Sequence, residues 1–282
     1  MKATDKRIIM IGAIIGDTIG SIYEFDNIKT KNFELFGNGV SPTDDSILTF
    51  ATADWIMHGG AAWKHYVKYA SKYDCPVGGF GGRFTQYVIK ALSTGKGEPY
   101  NSCGNGSAMR VSPVGWAFNT KEEVLAKAKE SAECTHNHPE GIKGAQATAL
   151  AIFMARNGAS VGDIKAAIES EFGYNLDFTL DELRPIYRWN YPGAALCQGT
   201  VPQAIRCVYE ATSYEDAIRN AISLGGDSDT LACIAGSIAE PVFGIPKKIY
   251  TTGTNILKHY FPEPYKLVIE FEKKYGNRVL EE

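Results

Sequence analysis

The sequence predicts an all-α protein, and three observations carry that prediction. Apolar residues recur at helical spacing along most of the chain. Strand-like alternation is weak everywhere, with Tyr187–Tyr191 the one plausible short strand. Glycine collects between the helical stretches, where chains turn. No short repeat, low-complexity tract or linker interrupts the pattern. A chain of 282 residues can bury a sizeable core. Residues 1–282 therefore read as a single compact helical domain.

The first helical stretch, Ile8–Phe25, carries Gly12, Gly16 and Gly20 at every fourth position. One face of that helix has no side chains, so another backbone can pack close against it. Asp17 and Glu24 lie seven apart and share a face. Glu24 is poorly placed for the dipole at the end of that stretch. It is a candidate ligand or general base, or else a solvated helix-end carboxylate. Helical spacing then recurs over Asp44–Met57, Ala61–Tyr73, Gly82–Ser93, Lys121–Cys134, Glu140–Asn157 and Val161–Phe172. It continues over Val201–Ala211, Tyr214–Leu224, Asp229–Phe243, Lys247–Tyr260 and Pro264–Tyr275. Three glycine-rich segments separate helices: Gly78-Gly79-Phe80-Gly81-Gly82, Cys103-Gly104-Asn105-Gly106 and Leu224-Gly225-Gly226-Asp227. Such loops let backbone N–H groups approach a ligand, or they serve as helix caps and tight turns.

Two helix starts stand apart. Thr43-Asp44-Asp45 opens one apolar helix, and Asp227-Ser228-Asp229-Thr230 opens another. A single Asp or Thr suffices to cap free N–H groups and complement the dipole. Two carboxylates and a threonine at both starts exceed that need. Carboxylates held together repel, and a cation between them relieves the repulsion. The donors are all oxygens, which selects a hard ion, Mg²⁺ or Mn²⁺, over zinc. Several carboxylates suggest two ions. The arrangement requires the two helix starts to converge in space; double capping is the alternative.

Charge and cysteine usage narrow the partners. The net charge is -3 and no long Lys/Arg block occurs, so nothing points to nucleic acid or an anionic membrane. Ile8–Ile15 resembles a signal-peptide core, but Gly16-Asp17 follows and no cleavage site is evident. No stretch reaches the roughly 20 apolar residues of a membrane span. Six scattered cysteines without a CxxC pair read as reduced thiols, which implies a cytoplasmic location. His136 and His138 have no further Cys/His partners to complete a zinc site, and His138 before Pro139 reads as a helix-start residue. Cys103 lacks an evident base for thiol catalysis. Tyr187–Tyr191 reads either as substrate wall or as core.

Taken in order, five motifs resemble those of the ADP-ribosylglycohydrolase family. They are Gly16-Asp17-x-x-Gly20-x-x-x-Glu24, Thr43-Asp44-Asp45, Gly104-Asn105-Gly106-Ser107-Ala108-Met109-Arg110, Thr135-His136 and Gly225-Gly226-Asp227-Ser228-Asp229-Thr230. The resemblance runs from residue 8 to about 246 and includes the dinitrogenase reductase-activating glycohydrolase. It implies an orthogonal all-α fold around two Mg²⁺ or Mn²⁺ ions. The implied metal ligands are Glu24, Thr43, Asp44, Asp45, Asp227, Asp229 and Thr230, with Glu24, Asp44, Asp45 and Asp229 in the chemistry. The implied diphosphate and ribose loop is Tyr100–Gly106, through Tyr100, Ser102, Cys103, Gly104, Asn105 and Gly106, and His136 is an implied ADP-ribose contact. Cys103 departs from relatives that stack an aromatic ring on adenine there. Phe80, Tyr100 and Tyr191 are the candidate replacements.

The implied activity is hydrolysis of the ribosyl C1 bond of mono-ADP-ribosylated side chains, arginine first, with serine or another O-linked acceptor open. The partner is then an ADP-ribosylated protein or an ADP-ribose-containing small molecule. Glu24 or a metal-bound Asp would take a proton from water, since charge develops on the sugar as in other glycoside hydrolyses. Another two-metal hydrolase acting on nucleotides would place Lys or Arg beside the acids; Arg83 and Arg110 are the only ones near the loops. A non-catalytic ADP-ribose reader or crystallin-like member would tolerate lost ligands, and every acidic position is intact.

Overall fold

The computed structural model describes residues 9–276. Among these it contains fifteen α-helices, one 3₁₀ turn and no strand. Tyr187–Tyr191 is irregular: Tyr187 N–H closes a turn on Leu183 and Tyr191 N–H one on Arg188.

The centre is a pair of helices that meet backbone to backbone. Helix α1 (Ile11–Gly20) is buried along its whole length and packs on α13 (Ser228–Phe243). A Cβ on Gly12 would lie 2.5 Å from the Gly236 carbonyl oxygen, one on Gly16 2.0 Å from that of Ala232, and one on Gly20 2.5 Å from Asp229 Cα. The fourfold glycine spacing is thus the seam that brings the end of α1 against the start of α13. The helix is shorter than its apolar pattern: it ends at Gly20 and tightens into a 3₁₀ turn over Ser21–Tyr23, so Glu24 follows the helix instead of extending its face. The expected start at Ile8 lies outside the described residues.

Helix α2 (Asp44–His58) docks on the side of α1. The carboxylate of Asp17, buried in α1, accepts from Thr43 N (2.9 Å), Thr43 Oγ1 (2.6 Å), Ser46 N (3.2 Å) and Ser46 Oγ. One α1 side chain thereby satisfies the free N–H groups of the next helix start. Helix α3 (Ala62–Lys72) returns along α2, joined to it by Asp54, which accepts from His65 Nδ1 (2.8 Å) and Lys68 Nζ (2.9 Å).

The next helices are α4 (Gly82–Thr94), the short α5 (Gly106–Met109) and α6 (Ser112–Ala117), and α7 (Lys121–Glu133). Helix α8 (Pro139–Arg156) is the second internal strut and packs on α5, α6, α7 and α13. His138 caps it by accepting from Glu140 N, as its position before Pro139 leads one to expect. Helices α9 (Val161–Phe172), α10 (Leu180–Leu183), α11 (Cys197–Tyr209), α12 (Tyr214–Leu224), α14 (Lys247–Tyr260) and α15 (Pro262–Tyr275) complete the layers. Helix α11 starts four residues before its apolar pattern suggests, because its first turn hydrogen-bonds Cys103 O through Cys197 N (3.0 Å). No helix among the described residues is long and apolar enough to cross a membrane.

Candidate active site

The α1–α13 seam and the Asp17 tie to α2 converge three distant segments on one cleft of about 370 Å³. That volume suits a small-molecule ligand. Its carboxylates are Glu24, Asp44, Asp45, Asp227 and Asp229, joined by Thr230. The glycine-rich segments contribute Gly79, Gly81 and Gly82 from one side and Gly104 and Gly106 from another. Tyr100, Ser102, Asn105, Arg83, Arg110, His136 and Trp189 complete the parts the chemistry needs.

Oxygens of Asp17, Asp45 and Asp229 all lie within 4.8 Å of one another, and so do oxygens of Glu24, Asp227 and Asp229. Asp229 belongs to both groups. Thr230 Oγ1 donates to Asp45, 2.9 Å from Oδ2. Burial raises the carboxyls of Asp44, Asp45 and Asp229 well above the usual carboxylate range, and the neighbouring acids add to it. Burial likewise lifts Glu24 to about 8, with Asp227 and Asp17 reinforcing it, and Asp17 to about 6 against its hydrogen bonds. Without a cation, the site therefore favours protonated carboxyls.

Capping explains only part of this. Thr43 does cap α2, accepting from Asp45 N (3.3 Å). Asp227 stands at the N-cap of α13 yet makes no capping bond. Its Oδ2 is held by Asn105 Nδ2 at 2.7 Å. Asp229 Oδ1 is buried with no hydrogen-bond partner. A buried, unpartnered carboxylate oxygen among other carboxylates, in an oxygen-only donor set, is what a hard divalent cation fits. Glu24, Asp45, Asp227 and Asp229 are the residues placed to hold one; Asp44 opens to the same cleft, half-buried.

Other expected residues fall in different places. Thr43 is not among the residues lining the cleft; its hydroxyl donates to Asp17 at 2.6 Å and lies 3.5 Å from Asp229 Oδ2. Ser102 Oγ accepts from Gly104 N at 3.1 Å and shapes the loop. Cys103 is not among the residues lining the cleft; its carbonyl anchors α11. Of the three rings offered for stacking, Tyr100 lines the cleft, with the Arg83 guanidinium 5.0 Å from its ring centre, whereas Phe80 and Tyr191 do not line it.

His136 is oriented by a buried relay. Arg110, fully buried against the Tyr66 ring at 3.8 Å, donates from Nη2 to Thr135 Oγ1 (2.8 Å). Thr135 Oγ1 lies 2.7 Å from His136 Nδ1. Burial, with Arg110 and Arg83 nearby, pushes the imidazole well below its usual pKa, so the ring is neutral. The Thr135 hydroxyl accepts from Arg110 and hydrogen-bonds Nδ1, which fixes the ring and turns Nε2 toward the cleft. Nε2 faces the Gly104–Gly106 turn, 3.1 Å from where a Gly106 Cβ would be.

One positioning residue, Asn27, carries no sequence signal of its own. Asn27 donates from Nδ2 to Tyr23 O, Glu24 O and Gly226 O and accepts from Gly226 N (2.7 Å). It ties the Glu24 segment to the loop before Asp227. Gly226 has φ 66° and a Cβ there would meet the Tyr187 ring at 2.5 Å, so both its conformation and its space require glycine. Trp189 donates from Nε1 to Glu24 O at 2.6 Å. The Tyr187–Tyr191 run thus divides: Tyr187 is core, bonded to Gly199 O, and Trp189 is wall.

An all-helical fold whose helix starts crowd buried carboxylates into one cleft defines a class of helical protein built around an acidic site. The comparisons with known proteins place the chain within it: residues 4–245 match the ADP-ribosylglycohydrolase model, and the chain belongs to that family of glycohydrolases. It is similar to ADP-ribosylhydrolase ARH3 of Danio rerio, 25% identical over 312 residues, covering 87% of this chain and 84% of that protein. It is also similar to ADP-ribosylarginine hydrolase Tri1 of Pseudomonas putida, 25% identical over 260 residues, covering 84% and 70%. A solved structure described as an ADP-ribosylglycohydrolase-related protein complex shares the fold, with TM-score 0.69, 21% identity, and 96% and 98% of the two chains covered.

Proposed function

We propose that this cleft hydrolyses the ribosyl C1 bond of mono-ADP-ribosylated side chains, with arginine as the acceptor. The observation that carries the reading is the buried carboxylate cluster beside a glycine loop and a neutral His136, all in one cleft. Two Mg²⁺ or Mn²⁺ ions, held by Glu24, Asp44, Asp45, Asp227, Asp229 and Thr230, would supply Lewis acidity that lowers the pKa of water and orients ribose hydroxyls. Asp17 and Thr43 fix the α2 start behind these ligands. Asn105 holds Asp227 in register. Gly104 and Gly106, without Cβ atoms, let the diphosphate approach this loop closely, and His136 Nε2 faces the same place. Tyr100, backed by Arg83, offers the ring that Cys103 does not and takes the adenine. Glu24, beside Asp227 and Asp229 in the cleft, is placed to receive the proton of the attacking water once the cluster holds its ions.

Arginine is favoured because the Tri1 relative is by name an ADP-ribosylarginine hydrolase. Incubation with ADP-ribosyl-arginine and with ADP-ribosyl-serine peptide, each with and without EDTA, tests the reading. Release of ADP-ribose that EDTA abolishes supports it. No release from either substrate, with Mg²⁺ and Mn²⁺ present, removes it.

A further inference from the structure

Two large aromatic side chains at the cleft mouth serve neither the core nor the ADP-ribose contacts described above. Phe25 is 70% exposed and Trp189 40%. Their rings lie parallel, 7° apart, with centres at 6.1 Å. Both are fixed to Glu24: Phe25 follows it in the chain, and Trp189 donates to its carbonyl oxygen. Gly78 closes over this corner, its Cβ position 3.1 Å from Glu24 Oε2 and 3.8 Å from the Phe25 ring. A contiguous exposed aromatic pair beside a cleft is the kind of apolar patch that marks a ligand-binding groove.

Trp189 lines the cleft together with Glu24, Asp44 and Asp227, and Phe25 stacks on Trp189 next to it. Trp189 also borders a second hollow with Lys29 and Arg188, away from the carboxylates lining the cleft. A group leaving the ribose on the Trp189 side of Glu24 meets a stacked aromatic pair set beside carboxylates. A planar cation fits that combination: the guanidinium stacks flat on a ring and is drawn to its face and to the acids. A serine side chain has neither a plane nor a charge to offer.

We infer that Phe25 and Trp189 form the acceptor subsite and select an arginine-linked over a serine-linked ADP-ribose. This rests on the proposed hydrolase reading and adds to it the residues that read the acceptor. The test compares wild type, Phe25→Ala, Phe25→Tyr and Trp189→Phe on ADP-ribosyl-arginine and ADP-ribosyl-serine peptides, with ADP-ribose affinity measured alongside. Phe25→Ala should raise KM for the arginine substrate about two- to five-fold, the worth of one exposed ring–cation contact. Phe25→Tyr should restore it, and ADP-ribose affinity should stay within two-fold. Methylguanidinium should inhibit the wild type competitively and the Phe25→Ala variant more weakly. An equal change on both substrates, no change on either, or a wild type that cleaves only the serine peptide overturns the subsite while leaving the hydrolase intact. A wild type that cleaves neither substrate fells both readings together.

Discussion

Asp44 and Asp229 begin two helices that are far apart in sequence and meet in one cleft. Asn caps a helix about as well as Asp, so a purely capping role makes Asn harmless at either position. If both hold cations, Asn keeps the shape and loses an anionic ligand. Asp44→Asn and Asp229→Asn should each lower turnover of ADP-ribosyl-arginine by orders of magnitude, and the double variant should be little worse than either single one. Neither should weaken the metal-free fold, because each removes a carboxyl whose burial among like charges favours its neutral form. Near-wild-type turnover in one single variant with normal folding would remove that aspartate from the site. The acids themselves were legible in sequence, since paired carboxylates at two helix starts exceed what capping uses. Their supports were not. Asn27 looks like an ordinary polar residue until the fold ties it to Glu24, and the motifs holding Asn105 and Trp189 do not show their bonds to Asp227 and Glu24.

Helix α1 and helix α13 are held by more than their glycine seam. The N-terminus of α1 has no side-chain cap of its own, and Met10 there adopts φ 71°. Glu240, near the far end of α13, supplies the missing acceptor: its Oε2 lies 2.9 Å from Gly12 N. Burial lifts this carboxyl to about 8 in spite of the N–H groups around it. The unfolded chain releases the proton near the ordinary value of 4.5. Between the two values the folded state binds more proton, so stability is full below about 4.5 and is lost as pH rises toward about 8. Glu240→Gln should flatten that loss, and the gap between variant and wild-type melting temperatures should move in the variant's favour from pH 5 to pH 9. Thermal melts across that range check it; a gap that does not change with pH means Glu240 is already charged in the folded protein. The seam was readable because a glycine at every fourth position has few other uses. The helices α5, α6 and α10 were not, because four to six residues are too few to display a helical period. The premature end of α1 was hidden for a related reason: a 3₁₀ turn prolongs the apolar pattern without prolonging the helix.

Across the whole molecule, the proposed ligands come from the segment after α1, the start of α2 and the start of α13. A cation held among them would bridge parts of the chain as distant as Glu24 and Thr230, so its binding free energy would act on global unfolding and not on one loop. The unfolded chain has no such cluster, and a ligand specific to the native state stabilises it by mass action, about 2.7 kcal/mol at a concentration one hundred times its Kd. Mg²⁺ or Mn²⁺ should therefore raise the melting temperature of the metal-free protein in a single cooperative transition. The rise should grow with pH, because ligand carboxyls lifted by burial must first lose their protons. Asp44→Asn and Asp229→Asn should lose most of it, while Glu240→Gln, whose carboxyl sits at the opposite end of α13, should keep it in full. Scanning calorimetry with and without EDTA at two pH values measures all three. A metal-independent melting temperature in the wild type at millimolar Mg²⁺ and Mn²⁺, with no ion retained after gel filtration, would mean that protonation alone keeps these carboxyls together.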